Sequence, residues 1–288
     1  LTSFKNIKEA ILVEYPEPGY SDEIKRLLQE ANPSVDFSIV GHTQIRKMAE
    51  IVRLKKNQRF ILDVTSLNKP MIFTAVRELL LNTAQFIGIK TNATQYYPLD
   101  SDLEKILDRK KKIKYNDAMS KLYFGENGPY NVVPLLDSRQ VLSGRPTSLI
   151  GILSPKNQRI FSLLDRREYE KVVLLCQNGN PKTDQLVKMV GEYAQVNYEN
   201  TVFEALDSND LDSAIRALSD VYNVLYNTEK MDVDLALTGT KLQSVLCAAF
   251  CVRYKINQCW YVAPNSYDPK RFSSGTADTK YFEVFLGD

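Results

Sequence analysis

The chain lacks most of the residues on which common enzyme mechanisms depend. It has one histidine, His42, so neither a Ser-His-Asp nor a Cys-His arrangement can form without it. Gly41-His42-Thr43 follows an apolar stretch and reads as a turn beside a helix start. The four cysteines, Cys176, Cys247, Cys251 and Cys259, have neither disulfide-framework nor zinc-knuckle spacing. Cys247 and Cys251 lie four apart on an apolar helix face, where buried thiols are expected. This use of cysteine predicts a reducing, cytoplasmic compartment. No G-x-G-x-x-G follows a strand, and no G-x-x-x-x-G-K-[ST] occurs, so nucleotide redox chemistry and NTP hydrolysis by those routes are disfavoured. No cofactor and no metal are expected.

Long apolar runs are also missing. The longest, Val245–Val252, is far short of the ~20 residues that cross a bilayer. No membrane partner and no signal peptide are expected. Net charge is only +2 over 288 residues, which gives no field for duplex DNA. Hydrophobic residues make up 44% and charged residues 25%, as in an ordinary globular protein of about two domains. The first residue is Leu1, not Met, which is compatible with excision from a longer protein that carries a further module.

One arrangement is present twice. Residues 60–69 read FILDVTSLNK and residues 232–241 read DVDLALTGTK. Each is a strand-like run that breaks at small hydroxyl residues, reaches a lysine and enters an apolar helix-like stretch. Free N–H groups and the helix dipole make such a turn a natural anion site. The flanks align too: Ile11–Tyr15 with Val172–Cys176 (172 − 11 = 161), Lys69 with Lys241 (241 − 69 = 172), and Gln85–Lys90 with Gln258–Ala263 (258 − 85 = 173). A diverged duplication of two large units is expected, divided near residue 146.

Short continuous Ile-, Leu- and Val-rich runs alternate with helix patterns, which is the pattern of parallel strands covered on both faces. Strands are expected at 11–15, 37–40, 60–64, 86–89, 148–153, 172–175, 195–198, 234–237 and 259–262, with a final edge strand at 281–286. Helices are expected between them. Residues 127–146 read as loop, and the basic run 108–114 as a solvated helix face. The fold class expected is α/β, with two Rossmann-like parallel-sheet units in tandem (1–146 and 147–288), pseudo-two-fold related.

In open parallel sheets ligands bind beyond the carboxyl ends of the strands, where chain order reverses. That edge gathers Tyr15, Tyr20, Ser21, Thr65, Ser66, Asn68 and Lys69 from unit one. From unit two it gathers Gln177, Asn178, Asn180, Thr238, Gly239, Thr240 and Lys241. Backbone N–H groups and hydroxyls hold phosphate or ribose oxygens, lysine adds charge, tyrosine stacks on bases and amides read base edges. Such a set suits a nucleotide-derived ligand. On the plainer reading, Thr-Ser and Thr-Gly are N-caps and the lysines are surface residues.

The turn Leu237-Thr238-Gly239-Thr240-Lys241 resembles the signature of the CRISPR-associated Rossmann fold (CARF) sensor domains, and Asp63-Val-Thr-Ser-Leu-Asn-Lys69 is similar to a looser version of it. Asp63 has no acidic counterpart at Leu235, and Thr238 stands where the family's second glycine is usual. The resemblance implies a cyclic oligonucleotide bound across two joined domains, with Thr238, Gly239, Thr240, Lys241, Ser66, Asn68 and Lys69 in contact. It implies an effector domain or protein controlled in antiviral defence. A sensor without turnover is the first expectation. A metal-independent nuclease that cuts its own ligand and a protein-interaction scaffold are the alternatives, and homodimerisation stays open.

Overall fold

The computed structural model describes residues 4–16, 20–55, 58–83, 85–97, 99–106, 125–137, 144–153, 158–177, 181–206, 211–268, 271 and 273–285. It is a mixed α/β protein with parallel-rich sheets. The first half runs β1 (Glu9–Glu14), α1 (Tyr20–Ala31), β2 (Asp36–Gly41), α2 (Ile45–Leu54), β3 (Ile61–Asp63), α3 (Lys69–Thr83) and β4 (Gln85–Thr91). A short β5 (Gln95–Tyr96) and α4 (Asp100–Ile106) follow, then β6 (Glu126–Pro134). The second half runs β7 (Thr147–Leu153), α5 (Gln158–Leu164), β8 (Lys171–Gln177), α6 (Pro181–Asn197) and β9 (Thr201–Leu206). Next come α7 (Leu211–Tyr222), which continues into a π-helical turn, β10 (Asp232–Ala236), α8 (Lys241–Arg253) and β11 (Gln258–Tyr267). The chain closes with β12 (Ser273–Ser274) and β13 (Thr279–Phe285).

The larger sheet has the order β6-β11-β10-β7-β8-β9. Its five strands β7 to β11 are parallel and β6 is antiparallel. Chain order therefore reverses between β7 and β10. In the first half β1 pairs β2 in parallel, β3 pairs β4 in parallel, and β13 lies antiparallel on β4. As expected, β13 is an edge strand.

The helices α3 and α8 explain why one core serves both halves. Met71, Ile72, Phe73, Val76, Leu79 and Leu80 of α3 are buried, as are Val245, Leu246, Cys247, Ala248 and Phe250 of α8. Helices apolar on nearly every side must be covered on more than one side. Each covers strands of its own half and the other helix. The continuous core reaches from Val40, Val52 and Phe86 through both helices to Val173, Leu218 and Val233. Each large side chain so buried contributes roughly 1.5–3 kcal/mol. Glu78 is the exception on α3: buried, it accepts from Arg53 Nε at 2.7 Å and Nη2 at 2.9 Å, which ties α3 to α2.

Four expectations change. Gln195–Tyr198 is not a strand, because Gln195, Val196 and Asn197 continue α6. The chain turns at Asn200 with positive φ, and the β-branched and aromatic run Thr201-Val202-Phe203 forms β9 instead. Residues 127–146 are not all loop. Glu126–Pro134 is a nine-residue strand whose prolines are tolerated because it lies at a sheet edge.

Residue 146 is not a boundary between sheets. β6, which precedes it, pairs with β11, and β13, from the far end of the chain, pairs with β4. Each half thus lends its last long strand to the other's sheet. Finally, the strand beside β10 is β7, with β8 one place farther out. The alignment of Ile11–Tyr15 with Val172–Cys176 therefore matches unlike places in the sheets, since Tyr15, just after β1, touches the turn after β3 directly. The basic run 108–114 lies outside the described residues.

Candidate functional site

The first turn is built by its own side chains. Asp63 Oδ1 accepts from Thr65 N at 2.8 Å, and Thr65 Oγ1 accepts from Thr91 N at 2.9 Å, which fastens the turn to the end of β4. Asn68 caps α3, its Oδ1 accepting from Met71 N at 2.9 Å. Its Nδ2 donates to His42 O at 2.9 Å. Tyr15 completes the arrangement: its Oη accepts from Asn68 N at 2.8 Å and donates to Ser66 O at 3.0 Å. The Tyr15 ring stacks on His42 with centroids 5.1 Å apart. Burial raises the Tyr15 phenol, so it stays a neutral donor.

The second turn is fastened differently. Thr238 is buried, and its Oγ1 donates to Ile152 O at 2.8 Å, across the point where chain order reverses. Thr240 and Gln243 form a capping box at α8, with Gln243 N donating to Thr240 Oγ1 at 3.3 Å and Thr240 N to Gln243 Oε1 at 2.5 Å. Gly239 makes room for it, because a Cβ there would stand 1.8 Å from Gln243 Oε1.

The two turns face each other, and their lysines cross. Lys69 Nζ donates to Thr238 O at 3.3 Å, and Lys241 Nζ donates to Thr65 O. Thr65 and Thr238 open the breaks after β3 and β10, one place apart in the alignment of Lys69 with Lys241, so each half's lysine engages a carbonyl of the other half's turn. Burial pushes the Lys241 ammonium down to about 8, against the opposing pull of Asp63 and helped by the charge of Lys90.

Nine expected site residues therefore meet in one place: Tyr15, Thr65, Ser66, Asn68, Lys69, Thr238, Gly239, Thr240 and Lys241. The caps are Asn68 and Thr240 rather than Thr65-Ser66 and Thr238-Gly239, and the lysines are not plain surface residues. Ser21 Oγ donates to Glu14 Oε1 at 3.4 Å, next to Tyr15 in the chain. Gln177 ends β8, with β7 between it and the second turn. Asn178 and Asn180 lie outside the described residues, as do the side chains of Tyr20 and Gln177. Sequence reasoning missed Ile152, Thr91, Lys90 and Gln243. Only Gln243 had a signal, since it stands three residues after Thr240 as a capping box requires.

Two buried polar clusters lie elsewhere. Asp234 accepts from Trp260 Nε1 at 2.6 Å, Asn257 Nδ2 at 2.8 Å and Tyr169 Oη at 3.3 Å. Asn257 and Tyr169 both precede their strands, so this carboxylate belongs to the amino side of the sheet. Glu126 and Arg159 form a buried pair at 2.6 Å, with Tyr130 donating to Glu126 at 3.1 Å. Among the described residues no three of His, Cys, Asp or Glu gather as metal ligands, and no helix is long and apolar enough to cross a membrane. Cys176, Cys247 and Cys259 are buried and Cys251 is partly exposed. No family model matches the chain, and no curated protein sequence matches it.

Proposed function

We propose that this chain is a ligand-sensing module of two Rossmann-like units in tandem, pseudo-two-fold related, similar in plan to CARF domains. Its ligand is a nucleotide-derived signal, a cyclic oligonucleotide, lying over the joint of the two lysine turns. The module works in the cytoplasm and controls an effector domain or protein in antiviral defence. The observation that carries this reading is the reciprocal crossing of Lys69 and Lys241 onto Thr238 O and Thr65 O.

The crossing supplies a switch in physical terms. An ammonium that donates to a neutral carbonyl makes a stronger charge-assisted bond to a phosphate. A phosphate over the joint draws each lysine off the opposite turn and changes the contacts between halves. Ligand affinity then differs between the two arrangements of α3 against α8, which is the condition for a signal to pass. The chain's one histidine, His42, is stacked on Tyr15 beside the first turn. Binding without turnover is the reading kept.

A thermal-shift panel of cyclic and linear oligonucleotides and common nucleotides tests it, with the ligand recovered and checked for integrity. A ligand at 100 times its dissociation constant adds ~2.7 kcal/mol. The expected result is stabilisation by one cyclic species, recovered intact, and its loss in Lys69→Ala/Lys241→Ala. Unchanged affinity in that variant removes the site, and a cut ligand replaces sensing with nuclease activity.

A further inference from the structure

Lys90 and Lys280 form a like-charged pair near one end of the β4–β13 ladder. The β4–β13 register sets Lys280 directly against Lys90. Side chains directly opposed on antiparallel strands stand ~4.5–5.5 Å apart at Cβ, and like charges there are destabilising. Phe282 lies over Gly88, where a Cβ would be 2.2 Å from its ring, and Phe282 and Val284 pack on the shared core. Residues two apart share a face, so Lys90 and Lys280 continue that face to the carboxyl end of β4. Lys241, at the start of α8, is close enough for Lys90 to depress it.

Compensation is incomplete. The carboxylates facing these three ammoniums are Asp63 and Asp278. Asp63 already accepts from Thr65 N at 2.8 Å, and Asp278 accepts from Asn92 Nδ2 at 3.1 Å. Neither Lys90 nor Lys280 forms an ion pair among the described residues. Burial and the charge of Lys280 both push the Lys90 ammonium down.

The other sheet has no such pair. The alignment of Gln85 with Gln258 carries Lys90 to Ala263 (258 − 85 = 173; 90 + 173 = 263), and Ala263 faces Asn131 on β6. The positive charge at the end of the exchanged strand is therefore one-sided.

We propose that Lys90, Lys280 and Lys241 form a phosphate subsite on the β4–β13 side of the joint alone. One phosphodiester of the ligand then sits on that side, where the positive charge is concentrated. This deepens the reading above by placing the phosphate, and it rests on that reading for the nucleotide part of the ligand.

Inorganic tripolyphosphate at constant ionic strength is the probe, with thermal shift and titration calorimetry as readouts. The wild-type protein is expected to bind it. Lys90→Gln/Lys280→Gln is expected to bind at least tenfold more weakly, and Asn131→Ala on the opposite sheet to bind as wild type. Without the probe, the lysine double variant should melt at the same temperature or higher, because a repulsive pair is gone. Binding unchanged in the double variant, absence of wild-type binding, or a large loss of melting temperature without the probe would each overturn the subsite. The nucleotide panel separates the two readings. A nucleotide bound equally by wild type and double variant removes the subsite alone, whereas lysine-dependent tripolyphosphate binding without any nucleotide binding removes the nucleotide reading alone.

Discussion

Replacing Lys241 by Met gives the sharpest test of the joint between the halves. Methionine keeps much of the apolar stem and removes the ammonium. The folded-state value of Lys241, about 8, lies below its ordinary 10.5 because the ammonium is buried and Lys90 repels it, with Asp63 in opposition. That difference corresponds to about 3 kcal/mol disfavouring the charged form in the folded state. Below pH 8 folded and unfolded chains both hold the proton, and the fold carries the whole cost. Between pH 8 and 10.5 the unfolded chain holds a proton that the folded chain has released, so stability rises with pH. Above 10.5 the cost is gone.

The variant has no such group. At pH 7 it loses the bond to Thr65 O, worth ~1–3 kcal/mol, and escapes a burial cost of similar size, so the two proteins should differ little there. From pH 7.5 to 10.5 wild type should gain about 3 kcal/mol relative to Lys241→Met. Melting curves of both proteins across that range measure the difference, in which titrating groups other than Lys241 and its neighbours Lys90 and Asp63 cancel. Parallel curves would refute the reasoning, because they would mean that the ammonium is solvated and the turns are not closed on it.

Three further outcomes follow from the packing. Gly239→Ala should lower stability by about 1–2 kcal/mol in denaturant melts, because the Cβ displaces Gln243 and opens the capping box. In Gly239→Ala/Gln243→Ala the glycine effect should shrink, since the atom it strikes is absent. Glu78→Gln should cost about 1 kcal/mol by chemical denaturation, because the charge-assisted bonds to the half-exposed Arg53 become neutral ones while the burial cost of the carboxylate is removed. Separate chains 1–146 and 147–288 should be recovered as a complex when co-expressed, because each carries the other's edge strand. Either chain alone should aggregate through the uncovered edge of β4 or β11. Two independently soluble monomers would contradict the exchanged-strand fold.

Local chemistry made much of this protein legible before any tertiary structure. Continuous apolar runs marked β7, β8, β10 and β11, and the hydroxyl-to-lysine breaks marked the starts of α3 and α8, because strand burial and N-capping are written in neighbouring residues. The small residues of those breaks also pointed to the site, although Tyr15 turned out to brace a turn and Asn68 to cap a helix. What sequence misread was set by competition between near neighbours: Val196 looked like a strand residue but continued α6, and the prolines of β6 looked like loop until the strand lay at an edge.

Everything that joins the halves was decided only in three dimensions. The exchange of β6 and β13, the place of β7 rather than β8 beside β10, the crossing of Lys69 and Lys241, and the facing of Lys90 by Lys280 all link residues far apart in the chain. No local preference encodes such pairs. They exist because α3 and α8 are apolar on nearly every side, so neither helix can be covered until the two halves close on one another.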